Sequence, residues 1–311
     1  MAAGVTVRVP GSTSNLGSGF DCAGMAVERW LRVSARCAED RSATAIAIDR
    51  RGMLGELPVP PEEDLLYRGF AAACRIGRRE VPRLTLTADS DIPVGRGLGS
   101  SAAAIVAGAA AASALLGIEL EAEALLALCA GIEGHPDNVA PAVYGGATLA
   151  LHRPAGGFLV TALEIHPSIA FVFAVPNFTL ETKRARAALP ESVPHATAAL
   201  AAARGAALVR GLATGDPELL AVALDDVLHV PYRRELVRGY DAVTNAARAA
   251  GAHGATLSGS GPTVVALAPF NCTSAVADAM GRAWQEWEVV TESFVVKRRV
   301  GGYETAPEPS S

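Results

Sequence analysis

The chain has 311 residues with a formal charge of −5; half of its residues are apolar and 19% are charged. That composition belongs to folded globular proteins rather than disordered ones, and nothing in the charge balance points to nucleic acid or another polyanion as partner. The five cysteines (Cys22, Cys37, Cys74, Cys129, Cys272) are scattered, with no Cys-x-x-Cys pair, which argues against a disulfide framework or zinc site and for a reducing cytoplasm.

Along the chain, 5–9 alternates and reads as a strand, as do 31–37 and 43–49. Helical spacing follows over 64–76, then a clean alternation over 83–89. The stretch 97–118 is an uncharged run of 22 residues, long enough to require a membrane test. It is mostly alanine and opens on Gly97-Leu98-Gly99-Ser100-Ser101, so a buried helix over 100–116 is expected and no membrane span. A helix over 121–130 and a strand over 147–152 complete the first half. The cluster Pro154, Gly156 and Gly157 marks the expected junction, between a domain 1–160 and a domain 161–303. The second half reads as strands at 170–175, 263–268 and 289–296, and helices at 194–212, 217–227, 235–250 and 274–287. The polar, proline-bearing tail 304–311 is expected to be disordered. Strands neither alternate strictly with helices nor segregate from them, which favours an α+β fold.

The strongest local signal is the loop Pro93-Val94-Gly95-Arg96-Gly97-Leu98-Gly99-Ser100-Ser101-Ala102. A glycine-rich loop running into a helix N-terminus offers unpaired N–H groups and the positive end of the helix dipole, a site for phosphate. A Walker loop is excluded because neither lysine, Lys183 or Lys297, follows a glycine, and Ala102 replaces the last glycine of a dinucleotide fingerprint. A bulky residue at Gly99 is expected to block the phosphate and spare the fold. A second glycine loop spans 254–263. A third polar segment, Ser12-Thr13-Ser14-Asn15-Leu16-Gly17-Ser18-Gly19-Phe20-Asp21, carries an amide and a carboxylate. The turn Glu133-Gly134-His135-Pro136-Asp137-Asn138 sets four polar groups between apolar stretches, a costly arrangement without a task.

Together these segments resemble the three motifs of the GHMP small-molecule kinases. Asn15-Leu16-Gly17-Ser18-Gly19-Phe20-Asp21 and the 133–142 segment are most similar to the homoserine kinase family among them. The resemblance implies a two-domain GHMP kinase fold, with a ribosomal-protein-S5-like N-terminal domain and a ferredoxin-like C-terminal domain, and with ATP and Mg²⁺ as cofactors. The ATP phosphates would lie on Pro93 to Ala102 and on Ser258, Gly259, Ser260 and Gly261, with Ser101 and Glu133 holding the metal. L-Homoserine would meet Asn15, Asp21, His135, Asp137, Asn138, Arg186 and Arg233, with Asn138, Arg186 and Thr182 closest to the transfer. Such a substrate asks for an acidic group (Asp21 or Asp137), an arginine fork (Arg233 or Arg186) and an amide for the hydroxyl. A homodimer is suggested only by the resemblance. Asp64 and Ala201 stand where the family pattern has asparagine. The alternatives are a GHMP kinase for another small hydroxylated metabolite and a non-catalytic nucleotide-binding regulator.

Overall fold

The structure, a computed structural model, describes residues 4–38 and 45–308. Its first sheet is built from β1 (Val5–Ser14), β2 (Ala23–Cys37), β3 (Ile46–Gly52) and, after α1 (Leu65–Ile76), β4 (Leu84–Ser90). Three helices follow, α2 (Ser100–Leu116), α3 (Ala122–Glu133) and α4 (Val139–Tyr144), then the hairpin β5 (Ala147–His152) and β6 (Phe158–Ala162). β1 and β2 run antiparallel with a register shift at Pro10/Gly11. The far end of β2 pairs with β4 and its near end, Ala23 to Met25, with β5. β4 buries every second residue, as its alternation predicts.

Helix α2 lies against β1 and α1 in the core, and its alanines suit that position. Two glycines set the α1–α2 approach. A Cβ on Gly108 would stand 1.8 Å from the Leu66 carbonyl oxygen, and one on Gly69 would stand 2.2 Å from that of Ile105. No helix among the described residues is long and apolar enough to cross a membrane.

The chain then passes through 163–168 into β7 (Ile169–Pro176), followed by α5 (Thr182–Ala187), α6 (His195–Thr214), α7 (Pro217–Ala223) and α8 (Val230–Arg233). Next come α9 (Tyr240–Ala249), β8 (Gly254–Leu257), β9 (Val264–Pro269), α10 (Thr273–Gln285) and β10 (Thr291–Val296). The second sheet has the order β10-β7-β9-β8, antiparallel throughout. With α9 and α10 as its crossovers, that is the ferredoxin-like arrangement. Both sheets contribute to one large apolar core, where Phe171, Phe173 and Leu267 join Val9, Leu31 and Ile105.

Several expectations need correction. The Pro154–Gly156–Gly157 cluster is the β5–β6 turn, closed by Arg153 N donating to Gly157 O (3.0 Å), and not a linker. A division at 160/161 would cut β6, and we propose that the domains divide within 163–168 instead. The tail is not disordered over 304–307. Those residues form β11 (Glu304–Pro307), pairing with Val5 to Arg8 at the open edge of β1. An edge strand needs only backbone partners, so its exposed polar side chains give no apolar signal. The second glycine loop starts late, since 254–257 is strand β8. The helix expected over 217–227 stops at Ala223, and Asp226 instead accepts from His229 N and Val230 N with its side chain. The first residues of the strand expected over 43–49 lie outside the described residues.

Candidate active site

One cavity of about 330 Å³ collects most of the expected residues. Its wall includes Pro93, Val94, Gly95, Arg96, Gly97, Leu98, Gly99, Ser100 and Ser101 from the glycine loop, and Gly259 and Ser260 from the β8–β9 loop. Gly95, Gly97 and Gly99 all have positive φ (67°, 73° and 69°), the region that favours glycine. Gly99 is also the N-terminal flank of α2, whose first turn carries no side-chain cap, so its free N–H groups and dipole serve the cavity.

These glycines also serve packing. A Cβ at Gly99 would stand 2.1 Å from Ser12 Oγ, and one at Gly97 would stand 2.2 Å from the Ser258 carbonyl. A bulky residue at Gly99 therefore strains the fold, contrary to expectation. Ser258 and Gly261 do not line the cavity. Ser258 Oγ donates to Gly97 O (2.6 Å) and accepts from Thr13 Oγ1 (2.8 Å), which ties the two loops together. Ala102 faces the core.

The acidic turn enters from the end of α3. Ser101 Oγ donates to Glu133 Oε1 at 2.5 Å. Burial raises the Glu133 carboxyl above its ordinary value, partly offset by that hydrogen bond. His135 Nδ1 donates to Asp137 Oδ1 at 2.5 Å. Burial alone would lower the imidazole, but the bond to Asp137 and the charges of Asp137 and Glu133 raise it. Asp137 is fully buried outside the cavity wall, and its Oδ2 has no partner. Asn138 lines the cavity with both ends of its carboxamide anchored on β1: Ser12 Oγ donates to Oδ1 (2.9 Å), and Nδ2 donates to Ser14 Oγ (2.8 Å). One N–H and one lone pair remain for a ligand.

Asn15 lines the cavity and braces it: Nδ2 donates to Gly259 O (3.0 Å), and Oδ1 accepts from Asp21 N (2.8 Å). Thr182 Oγ1 lies 3.3 Å from Ser260 Oγ, at the start of α5. One turn on, Arg186 forks onto both oxygens of Asp21, at 3.1 and 2.9 Å, and that bond raises its pKa. Arg233 is only 1% exposed, yet its partners are neutral: Ala185 O and His229 Nδ1 at 3.3 Å, and Gly259 O at 3.4 Å. Burial, with Arg186 nearby, lowers it to about 10. A guanidinium kept dry without a carboxylate favours an incoming anion.

Asp64 apart, a further part of the cavity escaped sequence reading. Leu54, Leu57, Val59, Leu65 and Leu66 make an apolar slot, with Arg50 and Asp64 as polar wall. Asp64 Oδ1 caps α1 by accepting from Leu66 N (2.8 Å), while Oδ2 accepts from Arg50 Nε (2.9 Å) and Nη2 (2.7 Å). Arg50 Nη2 also donates to Val59 O (2.9 Å), so one side chain joins β3, the 57–60 segment and α1. Ala201 lies in α6, outside the cavity wall.

The family model for the GHMP kinase N-terminal domain matches residues 64–146, and that for the GHMP kinase C-terminal domain matches 207–287. Homoserine kinase from Gloeobacter violaceus is 44% identical over 279 residues, covering 89% of this chain and 92% of its own. That from Nostoc sp. is 42% identical over 282 residues, covering 91% and 92%. Among solved structures, homoserine kinase from Cytophaga hutchinsonii superposes with a TM-score of 0.87 at 28% identity over 98% of each chain. L. major mevalonate kinase in complex with R-mevalonate gives 0.71 at 17% identity, covering 93% of this chain and 95% of its own, a likeness of fold. A glycine loop at a helix N-terminus, a Ser–Glu pair beside it and relatives of this identity over nine-tenths of the sequence lead to one placement: the chain belongs to the homoserine kinase family of the GHMP kinases.

Proposed function

We propose that the protein transfers the γ-phosphoryl group of ATP to the side-chain hydroxyl of L-homoserine, giving O-phospho-L-homoserine for threonine synthesis in the cytoplasm. The observation that carries it is the single cavity holding an apolar slot, a helix N-terminus and a buried arginine without an anion. The homoserine kinases at 42–44% identity support the substrate.

The base occupies the slot of Leu54, Leu57, Val59 and Leu66, and the phosphates lie along Gly95 to Ser101. The Ser101–Glu133 pair fits Mg²⁺: one buried carboxylate and one hydroxyl are hard oxygen donors, and this ion commonly takes its remaining ligands from phosphate and water. When bound, the ion neutralises charge on the transferring phosphate. Arg233 takes the substrate carboxylate. Asp21 does not itself line the cavity, but its carboxylate is held by Arg186, which does, and it takes the ammonium. Arg186 and Thr182 face the phosphoryl oxygens, and Asn138 orients the hydroxyl with its remaining hydrogen-bonding positions. Asn15 braces the substrate loop against Gly259. His135 stands beside the acceptor with Asp137 behind it, so Asp137 acts through His135 rather than on the substrate. Positioning and charge, more than a base, drive this class of transfer, and the hydroxyl proton passes to phosphate or solvent.

The test is ADP release with homoserine, mevalonate, galactose and shikimate offered separately. Homoserine alone should support turnover. Equal turnover with another alcohol, or none with homoserine, overturns the assignment.

A further inference from the structure

Behind Arg233 stands a fully buried histidine that the mechanism above does not use. His229 is 0% exposed, stacks on Phe20 (centroids 5.1 Å apart, planes at 20°) and holds Nδ1 3.3 Å from Arg233 Nη1. Arginine has only donors, so His229 Nδ1 must offer a lone pair and the ring proton must sit on Nε2. That side of the ring faces an acceptor, since Nε2 is 3.3 Å from Gly17 O and 3.7 Å from Asp226 Oδ2. Asp226 Oδ2 is itself spent on the backbone N–H groups of Leu228, His229 and Val230, at 3.0, 2.6 and 2.8 Å. Phe20 completes the cage, with the Arg233 guanidinium carbon 5.2 Å above its ring.

We infer that His229 is a positioning residue for substrate recognition: its Nδ1 lone pair, aimed by the Gly17 carbonyl and the Phe20 stack, orients the Arg233 guanidinium toward the cavity. This rests on the reading that Arg233 holds the substrate carboxylate. The chain of cause runs from the Gly17 turn and Asp226 through one imidazole tautomer to the arginine fork. The fork's remaining contacts, to Ala185 O and Gly259 O, are long. Without the imidazole acceptor the buried guanidinium loses one of three partners and its geometry, which weakens a bidentate pair more than a point charge.

The test is initial-rate kinetics on His229→Phe, His229→Asn and Arg233→Leu, beside the tautomer of the unmodified enzyme. His229→Phe keeps an aromatic ring against Phe20 and deletes the acceptor. Its KM for homoserine should rise about 10-fold, with kcat and the KM for ATP within about twofold. His229→Asn returns an acceptor near the Nδ1 position and should recover most of the loss. In histidine-labelled wild-type enzyme, ¹⁵N NMR should show His229 protonated at Nε2; protonation at Nδ1 overturns the inference even if no variant folds. A His229→Phe enzyme with the wild-type homoserine KM overturns it, as does His229→Asn failing as badly as His229→Phe. Arg233→Leu separates the two levels. If it leaves the homoserine KM unchanged, the carboxylate reading falls and the inference with it. If Arg233→Leu raises that KM and His229→Phe does not, only the inference falls.

Discussion

Replacing Arg50 with methionine would remove three hydrogen bonds at once while keeping most of the side chain's apolar length. Two run to Asp64 Oδ2, at 2.9 and 2.7 Å, and one to Val59 O at 2.9 Å. The paired side chains are only 14% and 9% exposed. Breaking a fully buried pair by removing one partner costs about 3–5 kcal/mol, and residual contact with water lowers that to about 2 kcal/mol here. Asp64 would keep its bond to Leu66 N, so α1 still starts in place. What loosens is the slot wall, because the 57–60 segment loses its tie to β3 and α1. Arg50→Met should thus lower unfolding free energy in urea by about 2 kcal/mol at constant slope, and raise the KM for ATP about 10-fold, about 1.4 kcal/mol. The KM for homoserine should stay put. Arg50→Met with Asp64→Asn removes both charges together and should be less damaged in stability than Arg50→Met alone. An ATP KM equal to wild type, despite the stability loss, would refute the assignment of the base to this slot. Unchanged stability would refute the account of the pair.

Glu133→Gln keeps the shape beside Ser101 and removes the carboxylate; turnover at saturating Mg²⁺ should fall about 10²–10³-fold, or about 3–4 kcal/mol, and full turnover would move the metal role elsewhere. Gly99→Val must seat a Cβ 2.1 Å from Ser12 Oγ at a φ of 69°, so chemical denaturation should show a loss of about 2 kcal/mol or more, and a variant as stable as wild type would mean that the loop does not pack on β1 as described. His229 is pushed below the ordinary histidine range by burial first, with Arg233 reinforcing and Asp226 opposing. The unfolded chain therefore takes up a proton that the folded one refuses, and stability should fall as pH drops below about 6.5 toward the lowered value, by up to about 1.4 kcal/mol per pH unit. His229→Phe should flatten that part of the urea-midpoint profile, and an identical slope in both proteins would contradict the buried, neutral imidazole.

Much of the frame could be read from residue order because its signals are periodic. The alternation at 83–89 became β4, and the alanine run became α2 with the same bounds, 100–116. The glycine loop showed itself by density, and the 133–138 turn by polar groups placed where apolar ones would cost less. The slot of Leu54, Leu57 and Val59 had no such mark. A leucine facing a cavity has the same sequence signature as one facing the core, and only the fold brings 50, 59 and 64 together. Strand β11 was hidden for the opposite reason, since an exposed edge strand needs no apolar face. The tie between Ser258 and Gly97 spans 161 residues, a pairing that no local pattern reports.

The three residues closing β1 explain why so polar a strand end is tolerated. Ser12, Thr13 and Ser14 are each 0% exposed, and unbonded hydroxyls at that depth would cost roughly 1–3 kcal/mol apiece. Ser12 and Ser14 hold the two ends of the Asn138 carboxamide, and Thr13 holds Ser258. The backbone does the same work: Ser12 N donates to Leu98 O at 3.0 Å, and Gly259 N donates to Ser14 O at 2.9 Å. One strand end thereby fastens the glycine loop, the 133–138 turn and the β8–β9 loop, segments drawn from both sheets. Donors aimed in advance need no reorganisation when charge moves in the transition state, and that is where this class of reaction gains most of its rate. The cost of burying polar groups in β1 is met by folding, before any ligand arrives, and Gly99 opposite is small because Ser12 occupies the space its side chain would need.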